Sequence, residues 1–437
     1  MSFTSALAVD HLIAAIDSGR LVLIFLLGQL PMAALALPPT SVDVRAYSTQ
    51  CKIQVLKNIG WTVATPAQSS ANLSVRPLMQ TICDDQQTAP QITLPQSDSP
   101  ALQEARLNQA FYSAALTCTY QQKYTHALLQ ATQSLKSDHL YWFTPDLIKD
   151  NLVEGGLSSH WQKIQCSQAE CIQPLQSQNS IAVDSLYHSF YLSDCGLGLQ
   201  MAEYATAKEL LGDEVFDRVF AANEIRVGQW SDVQSSQSFT HGVSARKILP
   251  PQGLDYARSG YRSFIGVSGY IGAQKDATFL DDFSNGHENF VIVKSSAAAG
   301  QAWLARGGLQ AYTAYLEKIW EFSRNVPPDE LQAMENMARQ GTLDGATDLQ
   351  IQKNLPGDTQ ELFVSDYAEP FARLLSDPFL RDTVLYVHPM GERSLAWHIL
   401  RLARINSRTP YALFFYNDTA HAEVMDRWLK AQLDQCQ

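Results

Sequence analysis

The sequence has no basic tract, no CxxC pair and no HExxH motif. The first absence, together with a net charge of -12, argues against nucleic acid or an anionic membrane surface as the main partner. The other two disfavour a zinc site. A comfortable membrane span is missing as well, because the apolar run Leu21 to Leu30 is short and is already interrupted at Gln29 and Pro31. Charged residues make up only 17% of the chain against 46% hydrophobic, which are globular values and argue against disorder over most of its length.

What is present begins with that apolar run. It follows Arg20 and leads through Ala34-Leu35-Ala36 into Leu37-Pro38-Pro39, the pattern of a signal peptide over 1–36 cleaved near Ala36. The expected location is therefore periplasmic or extracellular, with no stable membrane insertion after cleavage. Asp10 and Asp17 stand where a positive n-region is expected, and a start codon assigned too early accounts for them.

The chain carries seven cysteines. In an oxidising compartment an odd count directs attention to one thiol kept for use. Six are read as pairs: the spacing of Cys166 and Cys171 suits a small disulfide loop, and Cys51 with Cys83 is the next pairing, although spacing does not fix connectivity. The odd one is Cys195, in Ser193-Asp194-Cys195-Gly196. Leu197, Met201, Tyr204 and Leu211 then recur on one face, so a buried helix is predicted to begin at or near the cysteine. A helix N-terminus favours a thiolate, and its free N–H groups can receive an oxyanion.

Along the rest of the chain, 37–100 reads as an irregular, disulfide-tied leader and 100–137 as helical. Strands are predicted at His139 to Phe143, Asn223 to Gly228, Arg262 to Gly266, Gly269 to Gly272 and Glu288 to Val293, and a helix from Leu309 to Phe322. Val326-Pro327-Pro328 reads as a linker before a small α/β C-terminal extension over 327–437, with strands at Val384 to Val387 and Ala412 to Tyr416. The order of elements gives an α+β fold.

A thiol enzyme needs a proton acceptor near the sulfur. The local candidates are His287 and Glu288, polar residues entering a strongly apolar strand. Because strand neighbours face opposite ways, only one of them is expected to point at Cys195, and chemistry alone slightly favours His287. The other histidines, among them His188, His241, His388 and His398, stand in no comparable context.

Several of these segments, in order from about Leu102 to about Ser323, resemble the spore-coat transglutaminases, the single-domain protein-glutamine gamma-glutamyltransferases of spore-forming bacilli. Asp194-Cys195 with its helix and Leu211 to Asp217 looks like the family's acidic-Cys pair and the segment after it. Asn285 to Ile292 is similar to the family's Arg-Gly-Glu-Asn-Val-Ile, Phe264-Ile265-Gly266 through Tyr270 to its Phe-Leu-Gly segment, and Leu140-Tyr141-Trp142 to its Thr-Tyr-Trp. The resemblance implies an NlpC/P60-like, papain-related catalytic domain over 101–326 with no metal or organic cofactor. Cys195 would be the nucleophile, Glu288 its catalytic partner and Asp194 the adjacent acid. The substrates would be proteins bearing glutamine and lysine. A carboxylate serving a thiol should be buried with a raised pKa, which is the expectation for Glu288. Where the family has Phe-Ala-His-Gly this chain has Leu304-Ala305-Arg306-Gly307, which makes Arg306 an alternative partner. The alternative readings of the same residues are a cysteine hydrolase, or a non-catalytic binding module on the same fold.

Overall fold

Polar residues mark where the first helices start. The Ser48 hydroxyl accepts from the Cys51 N–H and opens α1 (Thr49–Asn58). After the short parallel strands β1 (Thr62–Ala64) and β2 (Gln91–Thr93), Ser99 caps α2 (Pro100–Phe111) in the same way, with Pro100 in the first turn. The helical stretch expected over 100–137 breaks at Tyr112 and Ser113 and resumes as α3 (Ala114–Ser137). The leader expected to be irregular therefore holds a helix. The computed structural model describes residues 40–65, 89–137, 141–142, 160–165, 170–175, 178–188, 191–192, 195–227, 264–273, 287–340, 373–388, 390–405, 411–415 and 419–436. The expected signal peptide lies outside them.

In the middle of the chain β3 (Tyr141–Trp142) receives its partner from a later segment, and β4 (Trp161–Gln165) and β5 (Glu170–Pro174) form a hairpin. Helix α4 (Asn179–His188) and strand β6 (Tyr191–Leu192), which pairs with β3, lead into α5 (Cys195–Leu211) and α6 (Asp213–Val219). The strand expected at 223–228 is instead a 3-10 turn, Ala222–Glu224, followed by a single bridge from Val227 to Ile172. Glu224 causes the difference: its carboxylate accepts from the Ala221 N–H and is gripped by Arg427, which closes the turn. Phe264 to Gly266 also turns rather than extends, with Gly266 at φ 87° against the Tyr124 ring, where a Cβ would collide.

The sheet that organises the rest begins with β7 (Ser268–Ala273) and β8 (His287–Lys294). Helices α7 (Ala297–Arg306), α8 (Leu309–Ser323), α9 (Pro328–Gln340) and α10 (Pro378–Asp382) follow. The expected linker is no linker, since Val326 is buried and Pro328 opens α9. Strands β9 (Val384–Val387) and β10 (Gly391–Ser394), helix α11 (Leu395–Ile405), strand β11 (Tyr411–Phe415) and helix α12 (Thr419–Asp434) complete the chain. All five strands β7 to β11 form one antiparallel sheet in the order β10-β9-β8-β7-β11. The C-terminal region is thus not an appended extension. It supplies three of the five strands, and Pro39–Gln437 forms one compact unit.

The sheet is covered on both faces. On one, α5 packs against β8 and α3 lies along α5. On the other, Phe290 and Phe415 meet edge to face, and Phe415 continues into Trp303 of α7, which stacks on Tyr312 of α8. This is an α+β architecture. Among the described residues, no helix is long and apolar enough to cross a membrane.

Cys51 of α1 is disulfide-bonded to Cys436, just beyond α12, and not to Cys83 as expected from spacing. Cys118 and Cys171 are disulfide-bonded as well, while Cys83 and Cys166, and with the latter the expected Cys166–Cys171 loop, lie outside the described residues. A cross-link spanning 385 positions removes much loop-closure entropy from the unfolded chain. The Cys51→Ser/Cys436→Ser double variant is expected to lose about 2–5 kcal/mol of unfolding free energy. Denaturant unfolding of both proteins without reductant measures it, and an unchanged midpoint would show that α1 and α12 hold together without the bond.

Candidate active site

Helix α5 is apolar and small-residue-rich almost all round, which lets it sit between α3 and the sheet. Its first residue is Cys195, so the predicted cysteine-led helix is present. One turn further on is Gly198. A Cβ there would overlap the Cβ, Cγ and Cδ2 of His388, so the imidazole lies directly on the α5 backbone. Positions 195 and 198 share a helix face and differ by about 4.5 Å of rise. His388 is 1% exposed, and its Nδ1 lies 2.9 Å from the Tyr386 hydroxyl.

Strand register shows which residues share this face. Ser268 of β7 donates to Glu203 of α5 at 2.7 Å, which ties its row to the α5 layer. Ser268 pairs with Val291, and Val291 pairs with Tyr386, so these three lie in one row facing α5. His388, two residues beyond Tyr386, continues that row. Position 287 falls in it too, paired with Gly272, but the side chains of His287 and Cys195, and Asp194 altogether, lie outside the described residues.

Glu288 stands in the alternate row. It is buried, as expected, yet its carboxylate faces α11, where it accepts from His398 Nδ1 and Arg401 Nη1. The structure therefore does not bring Glu288 to the α5 face. Nor is its acidity as expected: burial alone would raise the pKa, but the His398 and Arg401 charges and hydrogen bonds hold it below the usual carboxylate value. A carboxylate so stabilised is a poor base for a thiol.

Arg306 is not at the site either. It ends α7, pairs with Asp377 at 2.5 Å and stacks 3.7 Å from the Tyr315 ring centroid, joining α7 and α8 to the segment before α10. Its role is to hold that layer together.

His388 and His398 were the residues that sequence reasoning passed over. The available signals were weak: His388 directly follows the apolar strand β9, and His398 occupies a core position of the strongly amphipathic α11. Among the described residues, no group of three or more His, Cys, Asp and Glu is placed to hold a metal ion. At the start of α5 the described residues place the His388 imidazole against Gly198, one turn beyond Cys195. No protein-family model, curated protein or solved structure matches this chain.

Proposed function

We propose that the chain is an exported cysteine acyltransferase acting on the side-chain carboxamide of glutamine in proteins, built on an NlpC/P60-like core. The observation that carries the thiol chemistry is the seat of His388 on Gly198, one turn into the helix that Cys195 opens. The choice of glutamine and lysine as substrates rests on the resemblance to spore-coat transglutaminases, with an imidazole of the α5-facing row taking the part that the resemblance gives to Glu288.

In this reading the Cys195 proton passes to the imidazole and the thiolate attacks the carboxamide carbon. The resulting oxyanion is held by the free N–H groups at the start of α5. The C–N bond breaks, the imidazolium returns the proton to the leaving nitrogen, and ammonia departs from a thioester. A lysine amine then attacks the thioester carbon, giving up a proton to the imidazole as the thiolate leaves, and an isopeptide bond remains. With Nδ1–H donated to the Tyr386 hydroxyl, Nε2 of His388 is the nitrogen that exchanges protons.

The test is incorporation of a labelled primary amine into a glutamine-rich protein such as casein, with ammonia release followed in parallel. Incorporation is expected, abolished in Cys195→Ala and reduced about 100-fold or more in His388→Ala. Cys195-dependent ammonia release without incorporation would replace transfer by hydrolysis, and the absence of both would overturn the reading in favour of a binding module or an unprocessed precursor.

A further inference from the structure

Glu288, His398 and Arg401 form a buried charged cluster that the proposed reaction does not use. Glu288 and His398 are 1% and 0% exposed, and the Arg401 side chain is 17% exposed. Buried ion clusters contribute little net stability relative to apolar residues of the same volume, whereas removing one member is costly. What such a cluster does supply is a fixed geometry between the elements it joins.

Those elements form a closed circuit around His388. Strand β9 ends at Val387, and His388 opens the turn into β10, which begins at Gly391 with φ 74°. Strand β10 pairs back on β9 and runs without a break into α11 at Leu395. Through His398 and Arg401, α11 is seated on Glu288 of β8, and β8 is hydrogen-bonded to β9 through Val291 and Tyr386. The His388 hairpin is held at one edge by β8 and at the other by α11, and Glu288 is the point where both holds meet.

We propose that the Glu288–His398–Arg401 cluster is a positioning device that sets the His388 imidazole against the start of α5 from the opposite face of the sheet. Glu288 acts through the backbone of the β8–β9–β10 edge and not by contact with Cys195. The proposal rests on the pairing of Cys195 with His388 in the reading above, and it accounts for a glutamate in this place without making it a base.

Alkylation of Cys195 by iodoacetamide, followed by peptide mapping across pH in the full-length protein, tests it without any substrate. The rate at pH 6 is expected to fall about tenfold or more in His388→Ala and by a similar factor in Glu288→Gln, since a thiolate at that pH needs its imidazolium partner. The sign is decisive: a Glu288 acting by its own charge on the thiolate would give faster alkylation once neutralised. Unchanged or faster alkylation in Glu288→Gln, with slow alkylation in His388→Ala, would overturn the positioning role alone. Unchanged alkylation in His388→Ala would overturn the Cys195–His388 pair beneath it. Should Glu288→Gln not fold, Arg401→Gln is expected to slow alkylation and Arg401→Lys to restore it, and equal rates in the two would reject the proposal.

Discussion

Gly198→Ala is expected to destabilise the protein by about 1–3 kcal/mol and to reduce Cys195-dependent turnover about 100-fold. At an exposed helical position the same change would stabilise, because glycine costs roughly 1 kcal/mol relative to alanine. Here the sign reverses. The new Cβ has no rotamer to escape into, and the atoms it meets are the Cβ and Cγ of a buried His388 at the root of its side chain. Relief requires that α5 and the β9–β10 turn move apart, and a displacement of an ångström between the proposed nucleophile and its proposed base is enough for the expected activity loss. Denaturant unfolding and amine incorporation, measured together, check both parts. A variant of wild-type stability and activity would show that His388 is not seated on the helix as described.

The parts of this architecture that were legible in the sequence are the local ones. The period of Leu197, Met201, Tyr204 and Leu211 gave α5 its start and length, and short apolar runs gave β8, β9 and β11. What joins them was not legible. Val291 meets Tyr386, and Ile271 meets Leu413, through register between residues 95 and 142 positions apart, which no local pattern encodes, so the C-terminal strands read as a separate extension. The Cys51–Cys436 bond is hidden for the same reason. At the site, alternation predicts that His287 and Glu288 face opposite layers, and the structure describes the side chain of Glu288 alone. The pairing of Ser268 with Val291, the bond from Ser268 to Glu203 and the contacts of Glu288 with His398 and Arg401 place Glu288 in the layer away from α5. Lone histidines in apolar segments, such as His388 and His398, resemble satisfied core residues until the elements opposite them are known.

The seat of α5 on the sheet should also depend on pH through one buried carboxyl. Glu203→Gln is expected to match the wild type in stability near pH 4.5 and to exceed it by about 4 kcal/mol near pH 8. Burial pushes the Glu203 pKa from its ordinary 4.5 up to about 8, offset in part by the Ser268 hydrogen bond. Its Oε2 has no hydrogen-bond partner among the described residues. The folded protein therefore keeps this carboxyl neutral while the unfolded chain ionises it. Stability is unaffected below the ordinary pKa, falls by about 1.4 kcal/mol per unit as pH rises through the window, and levels off above the folded value. Glutamine keeps an oxygen for Ser268 and cannot ionise, so its pH dependence should lack that slope. Parallel stability–pH curves from urea unfolding would refute the assignment. Because Glu203 shares α5 with Cys195 and holds it to β7, its ionisation loosens the same helix that presents the thiol. Cys195-dependent activity should accordingly persist to higher pH in Glu203→Gln than in the wild type, and an identical alkaline limit in the two would separate the stability of this contact from the working of the site.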